Sequence, residues 1–142
     1  MSMGIASLVF VLLLTVALAH FLWALGSPWP IRDPVLLARA VIGRPGVTRV
    51  PRLGALLVAI LVLAAGIVAL SVADHTAGGL GLSLLGGGVG MAFIARGIAG
   101  YTAWWRARFP EEPFATLDRR NYSPLCLLVG AGFLVLVAMR FT

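Results

Sequence analysis

The chain has 142 residues, of which 61% are hydrophobic and only 11% are charged. About a quarter of the residues in a soluble domain are charged, so this composition excludes an ordinary soluble globular protein. All 11 basic residues are arginine, and with 5 acidic residues they give a net charge of +6. In an apolar chain this excess is typical of loops held against anionic lipid headgroups, and no basic run is interleaved with polar surface as in nucleic-acid sites. We therefore expect membrane lipids as partners and no nucleic acid.

Four stretches without Asp, Glu, Lys or Arg predict four membrane-spanning helices. They cover residues 1–31, 53–73, 75–95 and 121–139. Crossing the hydrocarbon core takes roughly 20 mainly apolar residues, and such runs insert as helices because lipid cannot hydrogen-bond a bare backbone. We predict an all-α fold, a four-helix transmembrane bundle with a short interfacial helix after the first span. The predicted spans, in a single membrane domain over residues 1–142, are approximately 4–26, 53–73, 78–100 and 123–141.

The first stretch also has a feature of a secretory signal. Ala17-Leu18-Ala19 looks like a signal-peptidase site after an apolar core. A signal peptide begins with a basic segment, and Met1-Ser2-Met3-Gly4 contains no basic residue. We therefore interpret this stretch as the first membrane helix.

The distribution of arginine predicts the orientation of the spans. Five arginines lie in residues 32–52 and five more in residues 96–120, whereas the link between the second and third spans has none. Lys and Arg concentrate in cytoplasmic loops. We therefore expect both arginine-rich links to face the cytoplasm and both termini to lie outside, with Arg140 as a weak opposing signal.

The first arginine-rich link contains signals for a short helix. Asp33-Pro34 combines an N-cap with a proline at the first helical position. Residues 35–42 are apolar except for Arg39, and Gly43 followed by Pro45 is a stop signal. We expect this helix to lie in the membrane interface, with Arg39 at the headgroups. The alternative is a re-entrant segment that dips between the spans.

The second arginine-rich link is rich in aromatic residues. Tryptophan and tyrosine gather where a chain leaves the membrane, so we expect an aromatic girdle there. Its members are Tyr101, Trp104, Trp105 and Phe109. Further along, Ser123-Pro124 is predicted to cap and open the fourth span.

Small residues recur along the third span in a way that predicts helix packing. Close backbone approach over small residues drives association between helices in lipid. The predicted packing stripe consists of Gly79, Ser83, Gly86, Gly90 and Gly97. The expected counterface on the second span consists of Gly54, Ala55, Ala59, Ala65, Gly66 and Ala69.

Rare polar residues are predicted to gather at the cytoplasmic ends of the first, third and fourth spans. Intramembrane ionisable residues are costly, so each indicates a partner or a site. We expect an ion pair between Arg96 and Asp118, or alternatively an Arg96 that snorkels to the headgroups. Instead of contributing to a site, His20 is alternatively a neutral ring bonded to a neighbouring carbonyl. Cys126 is alternatively a small, buried apolar residue. The candidate ligand-binding residues are His20, Trp23, Arg96, Tyr101, Asp118, Arg119, Arg120, Tyr122 and Cys126.

No arrangement of residues in the sequence predicts a cofactor or a metal site. His20 and His75 are expected at opposite membrane faces, so they cannot ligate one haem iron. The single cysteine excludes an internal disulfide and a cysteine-cluster metal site. Motifs for metal-dependent, phosphate-loop or serine-hydrolase chemistry are not found.

Two functional hypotheses follow. The first is a small integral membrane protein of unknown activity, an accessory or self-associating subunit of a homo-oligomer or a larger membrane complex, with a lipid-contacting arginine-rich cytoplasmic face. The alternative is a lipid- or isoprenoid-modifying membrane enzyme with its site at the cytoplasmic ends of spans 1, 3 and 4. In that enzyme His20 acts as acid or base because an unperturbed imidazole titrates near neutrality. Arg96 and Arg119 bind a phosphate, and Tyr122 or Asp118 assists.

Two segments at the ends of the third and fourth spans carry a distinctive pattern. The first is Ala95-Arg96-Gly97-Ile98-Ala99-Gly100-Tyr101, and the second has Leu117-Asp118 followed by Tyr122-Ser123-Pro124-Leu125-Cys126. With His20-Phe21-Leu22-Trp23 they resemble a family of small bacterial four-span integral membrane proteins known only as a domain of unknown function. The chain departs from the family at residues 99–101, where it lacks an acidic residue. The resemblance covers the whole chain and implies a multi-pass protein of the bacterial cytoplasmic (inner) membrane, without implying an activity.

Overall fold

The computed structural model describes residues 1–76 and 78–142. Its helices are α1 Ser2–Ala24, α2 Pro34–Val41, α3 Arg52–Ala73, α4 Gly79–Ala99, α5 Ala103–Arg108, α6 Phe114–Leu117 and α7 Ser123–Met139. A π-helical turn, Asp118–Tyr122, joins α6 to α7, so that Phe114–Met139 is one continuous helix. This helix and α1, α3 and α4 are long and apolar enough to cross a membrane. The predicted all-α fold, with four long apolar helices and a short helix after the first, is confirmed.

The short helix α2 begins and ends at the predicted signals. The Asp33 side chain accepts a hydrogen bond of 3.0 Å from the amide of Val35, and Pro34 is the first helical residue. After α2, Gly43 adopts a left-handed φ of +72°. The ring of Phe114 lies directly against it and leaves no room for a side chain. The place of α2 in a membrane interface stays a prediction.

The fourth long helix begins earlier than the sequence predicts. Helical structure starts at Phe114 rather than at Ser123, and the Ser123 side chain caps nothing. A proline inside a helix clashes with the carbonyl four residues earlier. Here the π-helical turn directly before Pro124 widens the backbone, and the amide of Ser123 bonds to the carbonyl of Asp118, five residues back. The wider turn lets the helix continue through the proline.

The four long helices pack as two pairs, α1 with α3 and α4 with α7, and α7 also contacts α1 and α3. The buried centre lies between these pairs and is mainly aliphatic. Its largest members are Leu13, Val72, Val129, Phe133 and Leu136. We call the end of the bundle that holds the links of residues 25–51 and 100–113 the arginine-rich end. The opposite end, which holds both termini, is the terminal end.

Most of the small-residue stripe of α4 faces α7 instead of the expected α3, and Gly86 lies between Val72 of α3 and Val137 of α7. Ser83, Gly86, Gly90 and Gly97 are buried, whereas Gly79 is exposed at the first residue of the helix. At the closest crossing, a Cβ on Gly90 would lie 2.8 Å from Cβ of Phe133 and 3.3 Å from the carbonyl oxygen of Gly130, and a Cβ on Gly130 would lie 2.9 Å from the carbonyl oxygen of Gly90. The small residues of α3 are occupied elsewhere, because α3 packs mainly on α1.

At the terminal end, Arg140 folds back over the turn that follows α3. Its guanidinium donates hydrogen bonds of 3.0 Å to the carbonyls of Val72 and Asp74, and one of 2.9 Å to the Ser83 hydroxyl. These carbonyls belong to the C-terminal end of α3, where a helix leaves acceptors unsatisfied and favours a cation. In the same turn, hydrogen bonds from the side chain and amide of Thr76, together with the charge of Arg140, lower the pKa of the Asp74 carboxyl.

Candidate functional site

A cavity of about 500 Å³ lies between the long helices, in the half of the bundle nearer the arginine-rich end. Its walls come from α1, α2, α3, α4 and the continuous fourth helix. Most lining residues are apolar: Leu13, Val16, Ala19, Trp23, Val41, Val58, Val62, Phe93, Phe114, Leu125 and Val129. The polar lining residues are Thr15, His20, Arg96, Tyr122 and Cys126. A mainly apolar cavity with a few convergent polar groups is the usual form of a small-molecule site.

The cavity is polar at one end and apolar at the other. Along α1 the lining runs from Leu13 to Trp23, which is about 15 Å at ~1.5 Å per residue. His20, Arg96 and Tyr122 are all at the end nearer the arginine-rich links. Thr15 lies deeper, but its hydroxyl donates to the carbonyl of Val11 at 2.9 Å and is therefore satisfied. The deep part of the cavity is thus apolar in character.

His20 presents an unpaired acceptor at the polar end. Its Nδ1 lies 2.8 Å from the carbonyl oxygen of Val16. Because a carbonyl can only accept, Nδ1 carries the hydrogen, and Nε2 is then the acceptor of a neutral ring. Among the described residues, Nε2 has no hydrogen-bond partner. The ring packs on Trp23, with centroids 4.6 Å apart, so the imidazole is held in a fixed orientation.

Arg96 is fixed by groups behind the cavity wall. Its Nη2 lies 2.7 Å from Oδ1 of Asp118, a residue that is 2% exposed. The other terminal nitrogen donates to the Ser123 hydroxyl at 3.4 Å. The ring of Trp105 lies 4.2 Å from the guanidinium carbon, and its indole N–H donates to Oδ2 of Asp118 at 3.0 Å. The snorkelling alternative therefore does not describe Arg96, which is paired within the bundle.

The π-helical turn determines where the residues of the fourth helix point. It places Asp118 against α4 and α5, and Tyr122 against α2, where the phenol donates to the carbonyl of Ala40 at 3.1 Å. Space is tight at this point, because a side chain on Gly100 would collide with Ser123. Turns of this kind occur often at functional sites. Here the turn positions Asp118 for the ion pair with Arg96 and Tyr122 for the hydrogen bond to α2.

The structure brings together some of the candidate residues and leaves others outside. Those that line the cavity are His20, Trp23, Arg96, Tyr122 and Cys126. Asp118 lies behind Arg96 and does not line it. Tyr101 and Arg119 contact each other outside the cavity, where the phenol donates to the Arg119 carbonyl at 3.0 Å, and Arg120 is exposed.

Trp105 is a residue whose role the sequence interpretation missed. It was assigned to an aromatic girdle, and its neighbour Trp104 is indeed 60% exposed, with Arg108 over its ring. Trp105 instead packs on Arg96 and donates to Asp118. The signal in the sequence is that tryptophan carries an N–H donor, which finds an acceptor when it is shielded from water.

The polar groups of the cavity can accept and donate hydrogen bonds, but they do not form a metal site. Within residues 1–76 and 78–142, no group of three or more His, Cys, Asp or Glu side chains is placed to hold a metal ion. The geometry suits an apolar molecule with one polar group near His20, Arg96 and Tyr122.

Comparisons with known proteins give a family. Neither the curated proteins nor the solved structures contain a match to the chain. A family model does match, over residues 13–133, which is most of the chain and includes every candidate ligand-binding residue. This match confirms the resemblance drawn from the sequence, and the chain belongs to the family described as "Protein of unknown function (DUF3995)".

Proposed function

We propose that this membrane protein binds a lipid-like amphiphile, with the apolar chain in the cavity and the polar end beside His20, Arg96 and Tyr122. The observation that carries the proposal is that the cavity is polar towards the arginine-rich end of the bundle and apolar deeper inside. A lipid in a leaflet is arranged in the same way, with its headgroup at the surface and its chains in the core. The volume of about 500 Å³ falls within the range of ligand sites. Arg96, the charged group at the polar end, is already held by Asp118 and Trp105, so it need not reorganise when a ligand binds.

We also propose that the arginine-rich end faces the cytoplasm of a bacterium, with the four helices in the inner membrane and both termini outside. The concentration of arginine in the two links at this end supports the orientation. Arg140, the arginine at the terminal end, has its charge placed on helix carbonyls. This arrangement weakens the opposing signal. A lipid bound as proposed would then belong to the cytoplasmic leaflet.

The test of lipid binding is to fill the cavity. Val62→Trp places an indole in it, whereas Leu61→Trp is a matched control on the lipid-facing side of α3, where Leu61 is 68% exposed. Each protein is purified in mild detergent and analysed by native mass spectrometry. We expect defined lipid adducts on the wild type and on Leu61→Trp, and their loss from Val62→Trp. Equal adducts on all three proteins, or none on the wild type, would contradict the proposal.

Self-association is the proposed mode of assembly. The outer face of α4 carries the small exposed residues Gly81, Gly88, Ala92 and Ala95, with the large exposed residues Leu84 and Leu85 between the first two. Side chains at Gly81 and Gly88 would meet nothing within 4 Å. Small residues that face lipid allow close approach of a helix from a second copy. Size measurement in lipid nanodiscs and detergent is expected to give one defined oligomer, and a monomer at all protein-to-lipid ratios would exclude this mode.

A lipid- or isoprenoid-modifying enzyme is the second candidate, and the unpaired Nε2 of His20 favours it. This nitrogen can take a proton from a ligand held beside Arg96 and Tyr122. The discriminating measurement is the mass of the adduct lipids after incubation of wild type and His20→Gln. A product formed by the wild type alone would establish the enzyme. Identical, unmodified lipids on both proteins would support binding without turnover.

A further inference from the structure

A second, smaller pocket of about 250 Å³ lies at the arginine-rich end, beside the cavity. Its lining residues are Trp23, Gly26, Ser27, Pro28, Pro34, Leu37, Arg49, Val50 and Arg52. Trp23 lines both spaces and therefore forms the wall between them. Unlike the cavity, this pocket has two arginines, Arg49 and Arg52, among its lining residues.

The two arginines of the small pocket carry uncompensated charge. In the described part of the chain the ion pairs are Arg39 with Glu111 and Arg96 with Asp118. Neither Arg49 nor Arg52 has an acidic partner within 4 Å in that part. Two neighbouring like charges repel, so an anion between them is stabilised by both.

The backbone at Gly26 leaves room for the Arg52 side chain. Gly26, which ends the turn after α1, has a left-handed φ of +92°. The Arg52 guanidinium occupies the space that a side chain on residue 26 would need. Arg52 is also the first residue of α3, which has no side-chain cap, so the positive end of a helix dipole adds to its charge.

A neutral donor completes the pocket. The Ser27 hydroxyl oxygen accepts a hydrogen bond of 3.3 Å from the amide of Trp29, which leaves its hydrogen for an acceptor in the pocket. The lining therefore offers the Arg52 guanidinium, a second arginine at Arg49 and one hydroxyl. Guanidinium forks match the oxygens of phosphate in bidentate fashion.

We propose that the small pocket binds a phosphate group, and that this phosphate belongs to the amphiphile whose chain occupies the cavity. The polar group beside His20, Arg96 and Tyr122 is then the part of the same headgroup that joins the chain to the phosphate. The assignment of the phosphate to a lipid rests on the proposed function. Binding of phosphate in the small pocket does not. Along α3 the pocket residue Arg52 and the cavity residue Val58 are six residues apart, or about 9 Å. One molecule can therefore reach both spaces around Trp23. A free phosphate in the pocket shares the same chemistry and is distinguished by the test.

The test uses the full chain in phosphatidylcholine nanodiscs and measures binding of phosphatidic acid and, separately, inorganic phosphate. The pocket variant is Arg49→Gln with Arg52→Gln. The control is Arg32→Gln with Arg44→Gln, which removes equal charge from the same link but outside the pocket. We expect the pocket variant to lose affinity for phosphatidic acid about tenfold more than the control does, because charge-assisted bidentate bonds are lost. Equal losses would show general attraction to the surface and overturn the proposal.

The remaining outcomes separate the two proposals. If inorganic phosphate binds the wild type but not the pocket variant, and phosphatidic acid does not compete with it, the ligand is free phosphate and the lipid assignment is wrong. If Val62→Trp removes lipid adducts while the pocket variant behaves as its control, the cavity proposal stands and the phosphate pocket falls. If the pocket variant alone loses phosphatidic acid and Val62→Trp does not, the pocket stands and the chain site falls.

Discussion

Nη2 of Arg96 and Oδ1 of Asp118 lie 2.7 Å apart, and the pair joins α4 to the π-helical turn of the fourth helix. Asp118 is almost fully buried, and its second oxygen accepts the indole N–H of Trp105. A buried charge without a partner is costly in any protein and more so in lipid. The pair therefore fixes the polar end of the cavity before any ligand is present.

The first prediction concerns this ion pair. Asp118→Asn should destabilise the bundle by about 3–5 kcal/mol, the usual cost when one member of a buried pair is removed. Adding Arg96→Met to this variant removes the stranded charge and should recover part of the loss. Thermal unfolding in one detergent gives the double-mutant cycle. Purely additive effects would show that the two charges do not interact.

The second prediction contrasts two glycines of α4. Gly90→Leu should destabilise the fold by about 1–3 kcal/mol or more, because the new side chain overlaps Phe133 at the closest helix crossing. Gly88→Leu, on the open side of the same helix, should leave the unfolding temperature of the monomer unchanged. It should instead weaken self-association, which sedimentation in detergent measures. Equal destabilisation by the two changes would contradict the assignment of faces.

The third prediction concerns the attachment of α2. Tyr122→Phe removes the hydrogen bond to the Ala40 carbonyl and should cost about 0.5–1.5 kcal/mol. Hydrogen exchange of the α2 amides should become faster. Tyr101→Phe is the matched control, since its phenol bonds to Arg119 instead, and it should leave exchange in α2 as in the wild type. Faster exchange in both variants would mean that the effect is not specific to Tyr122.

The fourth prediction concerns orientation. In a Cys126→Ala background, Thr76→Cys should react with a membrane-impermeant maleimide added to intact cells, and Thr48→Cys should react only after permeabilisation. Thr48 lies in an arginine-rich link and Thr76 in the turn after α3, and both are exposed. Labelling of Thr48→Cys from outside would reverse the proposed topology.

Local signals were sufficient to predict the four long helices and α2, but not the short helices α5 and α6. The four apolar runs gave the spans, and Asp33 with Pro34 gave α2, because each depends on residues close in sequence. The partner of α4 was not predictable in this way. Small residues occur on both α3 and α7, and periodicity shows which face packs without showing against which helix.

The candidate site could be predicted only in part, because only some of its features depend on residues close in sequence. The depth of His20 and Arg96 follows from counting residues along their spans, and both line the cavity. The predicted start of the fourth helix, at Ser123, was wrong. Pro124 is a strong signal for a helix start, whereas a π-helical turn before it has no comparable signal in the sequence. The ion pair of Arg96 with Asp118 was nevertheless predicted from their shared depth. The contacts of Trp105 with both residues were not, because they depend on the geometry of this turn.

The hydrogen bonds of Arg140 have a consequence for the order in which the bundle is completed. This residue follows the fourth long helix, yet it supplies donors to the carbonyls of Val72 and Asp74 at the end of the second long helix, which is made earlier. Until the fourth long helix has inserted, those carbonyls must be satisfied by water at the membrane surface. The C-terminal end of α3 is therefore completed only when the fourth long helix packs beside it. Loss of the Arg140 side chain would leave the carbonyls of Val72 and Asp74 bonded to water in the completed bundle.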